Sequence, residues 1–388
     1  MTSQKVFPVV DGIKDDIIAI SDYIHRNPEL GHQEEKAVRY LTGKLADAGF
    51  AVETGVGGFP TAFKAVYQGK TEGPTVAFLA EYDALPGIDH ACGHNLIAAA
   101  AVGAGLALRQ MMDELPGTIV VMGTPAEEVP PPVKGKMIEN GAFAGVDVSL
   151  TFHGSSGTYA NAQMLANNAM EVTYTGKTSH AAASPEQGRS ALDGALLALH
   201  GLELLREHVR QDIRMHYVIA DGGKAPNIVP EKAVVRCFLR GLERSYLDQV
   251  AERAEKCFRA GALATETEVV IDVLGKWDDY LHIPALNKAM EEYARAAGAE
   301  QMMDSPPAGG SSDFGNVSHA MPTSAIFVAF VPPGTAGHSK EWCDAAGEKA
   351  GHGAAIIAAK AMAATAYDLL TQPEYLKTVQ GEFARLKG

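Results

Sequence analysis

Apolar runs that do not alternate strictly with polar residues recur along the first part of the chain, and helical patterns separate them. PTVAFLAEYDA, TIVVMGTP and VDVSLTFH have the length of strands, whereas NLIAAAAVGAGLALRQMM has the length and composition of a buried helix. Strands that are apolar on both faces belong to sheets covered by helices on both sides, and such sheets are largely parallel. The pattern therefore predicts an α/β fold around a mixed, mostly parallel sheet covered by helices.

The pattern changes over residues 166–280, where predicted elements follow one another in the order β-α-β-β-α-β. That order makes a small open-faced sheet with two helices on one side, as in ferredoxin-like α+β domains. At 388 residues the chain also exceeds the size at which a single core stops growing. We therefore predict a main domain built from residues 1–165 and 281–388, with an inserted domain over residues 166–280.

Charge and cysteine content narrow the class of protein. The chain has 47 acidic and 33 basic residues, for a net charge of −14, which disfavours binding to nucleic acid. Its four cysteines form no CxxC pair and do not indicate a disulfide framework. No basic stretch followed by an apolar core opens the chain, and the run LIAAAAVGAGLAL is too short to span a bilayer. We expect a cytoplasmic protein that does not bind membranes.

Potential metal-binding side chains follow the predicted strands. Cys92 and His94 come after the strand VAFLA, Glu127 and Glu128 come after TIVVMGT, and His153 ends VDVSLTFH. In open α/β sheets, function collects in the loops beyond the carboxyl ends of the strands. We therefore expect these side chains to meet at one edge of the sheet.

Each of these signals has a structural alternative. A Cys-x-His pair can bind a borderline metal such as zinc, or Cys92 can be a small buried residue beside a histidine that caps the next helix. Adjacent glutamates usually form a solvated face, but here a strand leads into Glu127-Glu128 and three prolines stiffen the exit. His338, in a Gly/Pro-rich loop after TSAIFVAFV, would otherwise simply be exposed. Taken together, the set offers enough ligands for two metal ions, with a further carboxylate to act as a base.

Five segments in a consistent order resemble one family of enzymes: EYDALPGIDHACGHN, TPAEE, FHG, GKTSHAAASPEQGRSAL and a late GHS. Over nearly its whole length the chain is similar to the aminoacylase and glutamate-carboxypeptidase family of dimetal peptidases. Within that family it resembles the subgroup of auxin-conjugate hydrolases, hippurate-type aminoacylases, p-aminobenzoyl-glutamate hydrolase and related dipeptidases. The resemblance implies a zinc-peptidase-like catalytic domain and an inserted lid domain that also forms a homodimer.

The resemblance also implies a role for each matching position of the main domain. Glu127 matches the general base, which takes a proton from the attacking water and later gives it to the leaving amine. Asp83 matches a carboxylate that orients a ligand histidine. His90 matches no ligand, and we interpret it as structural. The metal ligands, with the cysteine as the bridging one, would be Cys92, His94, Glu128, His153 and His338.

Further matches lie in the inserted domain and in a late loop. His180 resembles a histidine that reaches across a dimer interface to polarise the scissile carbonyl. Asn227 and Arg240 resemble residues that hold the substrate carboxylate or carbonyl. The alternative for Asn227 is that it merely stabilises its turn, and the alternative for Arg240 is that it merely forms an ion pair on the surface. A substrate-facing loop of the subgroup corresponds to Ser311, Ser312 and Asp313.

The combined prediction is a metal-dependent amidohydrolase that cleaves an amide with a free carboxylate on the amine side. Its substrate would be an N-acyl amino acid, a p-aminobenzoyl-glutamate-like amide or a dipeptide. One alternative keeps this chemistry but acts on another bond, such as an aromatic amine or a specialised xenobiotic amide, and a non-enzymatic alternative is a metal-stabilised binding protein. Cysteine favours zinc for the two divalent ions, while histidine and carboxylate also suit manganese, nickel or cobalt.

Overall fold

The computed structural model describes residues 2–307 and 309–387. Within these residues the strands are β1 (Ala51–Thr54), β2 (Phe63–Gln68), β3 (Thr71–Ala80), β4 (Pro116–Gly123), β5 (Val148–Ser155), β6 (Ala166–Thr175), β7 (Arg214–Asp221), β8 (Lys232–Gly241), β9 (Glu268–Trp277) and β10 (Thr323–Ala329). The α-helices are α1 (Phe7–Gly12), α2 (Lys14–Arg26), α3 (Glu35–Asp47), α4 (His94–Arg109), α5 (Val133–Glu139), α6 (Ala191–Arg206), α7 (Arg244–Thr265), α8 (Pro284–Ala296), α9 (Phe314–Ala320), α10 (Lys340–Ala346), α11 (Lys349–Thr371) and α12 (Pro373–Lys387).

The chain divides into two units. The first comprises Met1–Gln163, Tyr280–Pro307 and Asn316–Gly388, and the second comprises Met164–Asp279 and Ala308–Gly315. Residues 309–315 thus group with the second unit, although the sequence pattern predicted them as part of the main domain. A short loop of this kind has no apolar periodicity of its own, so only its packing reveals its unit.

The first unit is built on a six-stranded sheet in the order β1-β2-β4-β3-β5-β10. The pairs β4–β3, β3–β5 and β5–β10 are parallel, whereas β1–β2 and β2–β4 are antiparallel. Phe78 of β3 is fully buried and pairs with Val121 on one side and Leu150 on the other. The predicted mixed, mostly parallel sheet with helices is confirmed.

Alanine-rich helices cover the core of the first unit. Helix α4 is buried along almost its whole length, and α11 packs against it. Small side chains let helix and sheet approach closely: a Cβ placed on Gly105 would lie 2.5 Å from Cγ2 of Val121 in β4. By length and composition α11 could cross a membrane, but 78% of its most apolar window is buried inside the protein, which is typical of a core helix.

The second unit carries a separate antiparallel sheet in the order β7-β8-β6-β9. Its elements follow the predicted order β6-α6-β7-β8-α7-β9. Alternate residues of the strands, such as Val172, Tyr174, Val235 and Leu239, are buried in one core with α6 and α7. Because residues two apart share a face of a strand, both helices lie on one side of the sheet.

Two glycine-to-alanine substitutions in helices test the packing of α4 on the sheet. G105A should lower the free energy of unfolding by about 1–3 kcal/mol, because the new methyl group overpacks against the stiff side chain of Val121. G353A in α11 is the matched control, since among the described residues no atom beyond the neighbouring backbone of its own helix lies within 4 Å of the added Cβ. It should raise stability by up to about 1 kcal/mol through helix propensity. Urea unfolding of both variants is the measurement, and a G105A protein as stable as G353A would contradict the packing described.

Candidate metal centre

The carboxyl ends of four neighbouring strands of the first unit carry the site. In the sheet order β4-β3-β5-β10, Glu127 and Glu128 follow β4, and Asp83 follows β3. His153 lies near the end of β5, and the loop after β10 holds His338. Because these strands are parallel, their carboxyl ends meet at one edge. The topology thus brings together residues that are up to 255 positions apart in sequence (83 to 338).

The loop after β3 turns into helix α4 at the point where Cys92 and His94 stand. Gly93 between them has a φ of +89°, a left-handed conformation that a glycine adopts without steric cost, and His94 is the first residue of α4. The indole Nε1 of Trp342 donates to the carbonyl of Cys92 at 3.2 Å. The backbone N–H of His338 donates to the carbonyl of Ala91 at 3.1 Å. These contacts fix the cysteine, and with it the loop that carries His338.

Potential ligand atoms gather into three overlapping groups, and within each group the atoms lie within 4.8 Å of one another. Cys92 belongs to two of these groups, one with His94 and His153 and one with Glu128 and His338, as a ligand shared between two ions would. The Cys92 Sγ–His153 Nε2 and His338 Nε2–Glu128 Oε1 distances are both 3.5 Å. The groups are Cys92, His94 and His153; Cys92, Glu128 and His338; and His94, Glu127 and Glu128.

Hydrogen bonds orient the buried His94 and the half-buried His153 toward this cluster. Nδ1 of His94 donates to Oδ1 of Asp83 at 2.9 Å, and Nδ1 of His153 donates to the carbonyl of Gly154 at 2.7 Å. In both histidines the other ring nitrogen, Nε2, therefore faces the potential metal ligands of the neighbouring residues. Oδ2 of Asp83 accepts from the backbone N–H of Glu128 at 3.1 Å, so one carboxylate holds both a histidine and the glutamate loop.

The electrostatics of the cluster favour a cation. Nε2 of His94 and Oε1 of Glu128 are buried and have no hydrogen-bond partner among the described residues. Burial would lower the pKa of His94, but the neighbouring Cys92 and Asp83 raise it well above its usual value. Burial also raises the pKa of the Cys92 thiol. A divalent ion would neutralise the negative charge of the carboxylates and bind the two unpartnered atoms. Sulfur, nitrogen and carboxylate oxygen are the ligand atoms of zinc sites, so this set of side chains fits such an ion.

A buried ion pair that the sequence pattern did not indicate lies beside the cluster. Nζ of Lys134, a fully buried residue of α5, lies 2.8 Å from Oε1 of Glu81. The other oxygen, Oε2 of Glu81, lies 3.5 Å from Nε2 of His94. Glu81 stands two residues before Asp83 in EYD, which was the available signal. A lysine in a short polar helix is predicted to be exposed, and only the fold shows that the side chain of Lys134 is buried.

The second unit holds the other predicted site residues of the inserted domain. His180 is exposed, and its Nδ1 accepts the backbone N–H groups of Ala182 and Ala183 at 3.3 and 3.1 Å. The carbonyl of Asn227 accepts from the N–H of Ala181 at 3.0 Å, so His180 and Asn227 lie on neighbouring segments. Arg240, in β8, is half-buried with no partner for Nε among the described residues, and burial lowers its pKa. Arg240 is therefore not engaged through Nε in a surface pair.

The remaining predicted residues divide between the two units. Asp313 is fully buried in the second unit, and Ser312 accepts the N–H of Phe314 through its hydroxyl at 3.2 Å. Ser311 is half-buried, and its hydroxyl has no partner among the described residues. In the first unit His90, in the loop between β3 and α4, is buried, and burial lowers its pKa to about 3. His90 therefore stays neutral inside the fold.

A double-mutant cycle tests the buried ion pair. K134M should lower the free energy of unfolding by about 3–5 kcal/mol, because it leaves the Glu81 carboxylate buried without its cation. K134M/E81Q should recover most of that loss, since it removes both charges of the pair. Denaturant unfolding of the wild type, both single variants and the double variant measures the coupling. Purely additive losses would mean that Lys134 does not balance the charge of Glu81.

Comparison with known proteins identifies the family. Residues 77–364 match the model of peptidase family M20/M25/M40. The Xaa-Arg dipeptidase of Mus musculus is 36% identical over 397 residues, covering 96% of this chain and 90% of its own. A p-aminobenzoyl-glutamate hydrolase chain of Escherichia coli (strain K12) is 35% identical over 296 residues, covering 70% of this chain and 60% of its own.

Solved structures agree on the fold. A crystal structure from methicillin-resistant Staphylococcus aureus has a TM-score of 0.81 at 21% identity, covering 96% of this chain and 100% of its own. A dinuclear metal binding peptidase of the M20 family from Bacillus subtilis has a TM-score of 0.66 at 20% identity, covering 89% and 98%. The predicted resemblance is confirmed: the chain belongs to peptidase family M20/M25/M40 and is a metal-dependent hydrolase of C–N bonds.

Proposed function

We propose that this protein is a dimetal amidohydrolase that cleaves the amide bond of an N-acyl amino acid, a p-aminobenzoyl-glutamate-like amide or a dipeptide. The observation that carries the proposal is the cluster of three overlapping ligand groups, in which Cys92 and His94 are each shared and Glu127 is a member. The names of the relatives support the substrate class, since one is a dipeptidase for Xaa-Arg and another hydrolyses p-aminobenzoyl-glutamate.

The metal ligands we propose are those of the first two groups: Cys92, His94, Glu128, His153 and His338. Divalent ions bound there would supply Lewis acidity, which polarises the amide carbonyl and lowers the pKa of an attacking water. The thiolate favours zinc, although manganese, nickel and cobalt also suit histidine and carboxylate donors. The homologous dinuclear metal binding peptidase supports the count of two ions.

Glu127 is the proposed proton carrier. Its Oε2 lies 4.0 Å from Nε2 of His94, and its side chain is largely buried at the edge of the cluster. As a base it takes a proton from water while the water oxygen forms a bond to the amide carbon. It then gives the proton to the amine nitrogen as the C–N bond breaks, so the products are a carboxylic acid and an amine. Glu128 beside it would stay a ligand, because its N–H is fixed by Asp83.

Residues of the second unit would complete the substrate site. Since Nδ1 of His180 accepts two backbone N–H groups, its proton lies on Nε2, which can donate to a carbonyl oxygen as negative charge develops there. We propose that His180 acts in the partner subunit's site of a homodimer. Substrate-binding roles, with the free carboxylate held by the arginine or the asparagine, are proposed for Asn227, Arg240, Ser311, Ser312 and Asp313.

Replacing the proton carrier tests both the reaction and its mechanism. The wild type, loaded with zinc, manganese or cobalt, is assayed on N-acyl amino acids, dipeptides, p-aminobenzoyl-glutamate and aryl amides that lack a carboxylate. E127Q should lower kcat by about 10²–10⁴-fold because the amide cannot take the proton. Its bound metal, measured by elemental analysis, should stay at the wild-type level.

Two results of that experiment would count against the proposal. Near wild-type kcat in E127Q with full metal would remove Glu127 as the base. Hydrolysis confined to the aryl amides would replace the proposed substrate class with the alternative one.

Subunit complementation tests whether His180 acts across a dimer. E127Q and H180A homodimers should each be nearly inactive, whereas a mixture that exchanges subunits should regain about a quarter of wild-type activity. Half of the mixed molecules are then heterodimers, and each has one site with an intact Glu127 and an intact His180. A mixture that exchanges subunits, as shown by a mass or affinity tag, and yet stays inactive would place both residues in the same subunit.

A further inference from the structure

We propose that Glu34 is a positioning residue: its buried carboxylate holds the backbone turn that aims Glu127 and Glu128 into the metal centre. This inference rests on the proposed function, in which Glu127 is the base and Glu128 a ligand. Glu34 lies in the segment that precedes α3, about 90 residues before the glutamate pair.

The turn that Glu34 contacts has an unusual backbone. Ala126, immediately before Glu127, has a φ of +55° although it carries a Cβ. For residues other than glycine this left-handed conformation is unfavourable, so surrounding contacts have to hold it. The backbone N–H of Ala126 donates to Oε1 of Glu34 at 2.8 Å, and both residues are fully buried. Glu34 thus binds the very residue whose conformation sets the direction of Glu127.

The start of α3 shows that the side chain of Glu34 does not cap its own helix and is free to bind Ala126. Glu34 occupies the N-cap position of α3, where an acidic side chain commonly binds the N–H groups of the first turn. Its side chain makes no such cap. The carboxylate of Glu29 binds the N–H groups of Lys36 and Ala37 instead, at 2.9–3.0 Å. The helix is therefore capped by another residue, and Glu34 turns toward Ala126.

Two further contacts make the turn sensitive to this segment. A Cβ on Gly31 would lie 2.8 Å from Cγ2 of Val129 and 3.0 Å from Cβ of Ala126, so the segment before α3 presses directly on both sides of the glutamate pair. On the far side, Oδ2 of Asp83 accepts the N–H of Glu128. Two buried carboxylates from outside the loop therefore hold alternate N–H groups, at Ala126 and Glu128, and leave the intervening Glu127 with a defined direction.

Burial raises the pKa of Glu34 to about 7, with the hydrogen bond from the N–H of Ala126 acting in the opposite direction. The carboxyl is therefore protonated for a large part of the time at neutral pH, and glutamine is a fair substitute for it. A glutamine retains the acceptor oxygen that Ala126 needs, whereas leucine removes the acceptor and aspartate withdraws it by one methylene group.

The experiment measures metal affinity, by competition with a chelator for zinc, in the E127Q background as well as kcat in the otherwise wild-type protein. E34Q should keep both within about threefold. E34L should weaken metal binding about tenfold and lower kcat about 10–100-fold, the usual size of effect when a residue that supports a ligand is lost. E34D keeps the carboxyl group but shortens its reach, so it should change metal affinity and kcat in the same direction, and it stands in for E34L should the leucine variant fail to fold.

Two variants separate positioning from simple stability. E29A removes a carboxylate of the same segment that caps α3 but does not touch the glutamate turn, so it should lower the melting temperature and leave zinc affinity unchanged. Adding A126G to E34L should recover part of the lost affinity, because glycine adopts a φ near +55° without strain.

Wild-type zinc affinity in E34L or E34D would overturn the inference, as would an equal loss of affinity in E29A. Because the affinity measurements use E127Q, they stand even if the proposed substrates are not hydrolysed. Loss of affinity in E34L with no hydrolysis by the wild type would sink the proposed function alone. A loss of kcat in E34L with unchanged zinc affinity would remove Glu34 as the support of Glu128.

Discussion

The carboxylate of Asp83 is the contact on which the rest of the centre depends. Fully buried at the end of β3, it accepts Nδ1–H of His94 through one oxygen and the N–H of Glu128 through the other. Burial would raise the pKa of Asp83, but the charge of His94 and these hydrogen bonds keep it below its usual value. A single charged group thereby sets the free nitrogen of the histidine and the position of the glutamate loop. Residues from two separate strand ends are thereby tied together through one carboxylate.

Charge balance then explains the residues around this contact. Four carboxylates, those of Glu81, Asp83, Glu127 and Glu128, lie close together in a largely buried site, and the buried Lys134 is paired with one of them. Together with His94, whose pKa is raised, Lys134 offsets only part of the charge of four carboxylates, and divalent ions bound here would offset the rest. Lys134 lies on α5, directly after the glutamate loop, so the same ion pair also anchors the exit of that loop to β3.

Much of the centre was predictable because several potential metal ligands lie next to one another in the sequence. Cys92 and His94 stand on one turn, and Glu127 and Glu128 are adjacent, so residue type and the preceding strand pattern suggested them. The supporting residues were not predictable, because their partners are remote. Lys134 looks like a surface residue of a short helix, and Glu34 looks like the cap of α3. Each is buried against a segment that lies 53 to 92 positions away (81 to 134, and 34 to 126).

The sequence by itself determined the chemical inventory: which residues can bind metal, the order in which strands present them, and the α/β class that gathers strand ends at one edge. Tertiary structure decided the rest. It selected Nε2 over Nδ1 as the free nitrogen in His94 and His153, because the acceptors of Nδ1 lie in place once the loops pack. It also forced Ala126 into a left-handed turn and supplied Glu34 to hold it. The reason is physical: period and residue type follow from neighbours along the chain, whereas burial of a charge and strain of a turn depend on what packs against them from elsewhere.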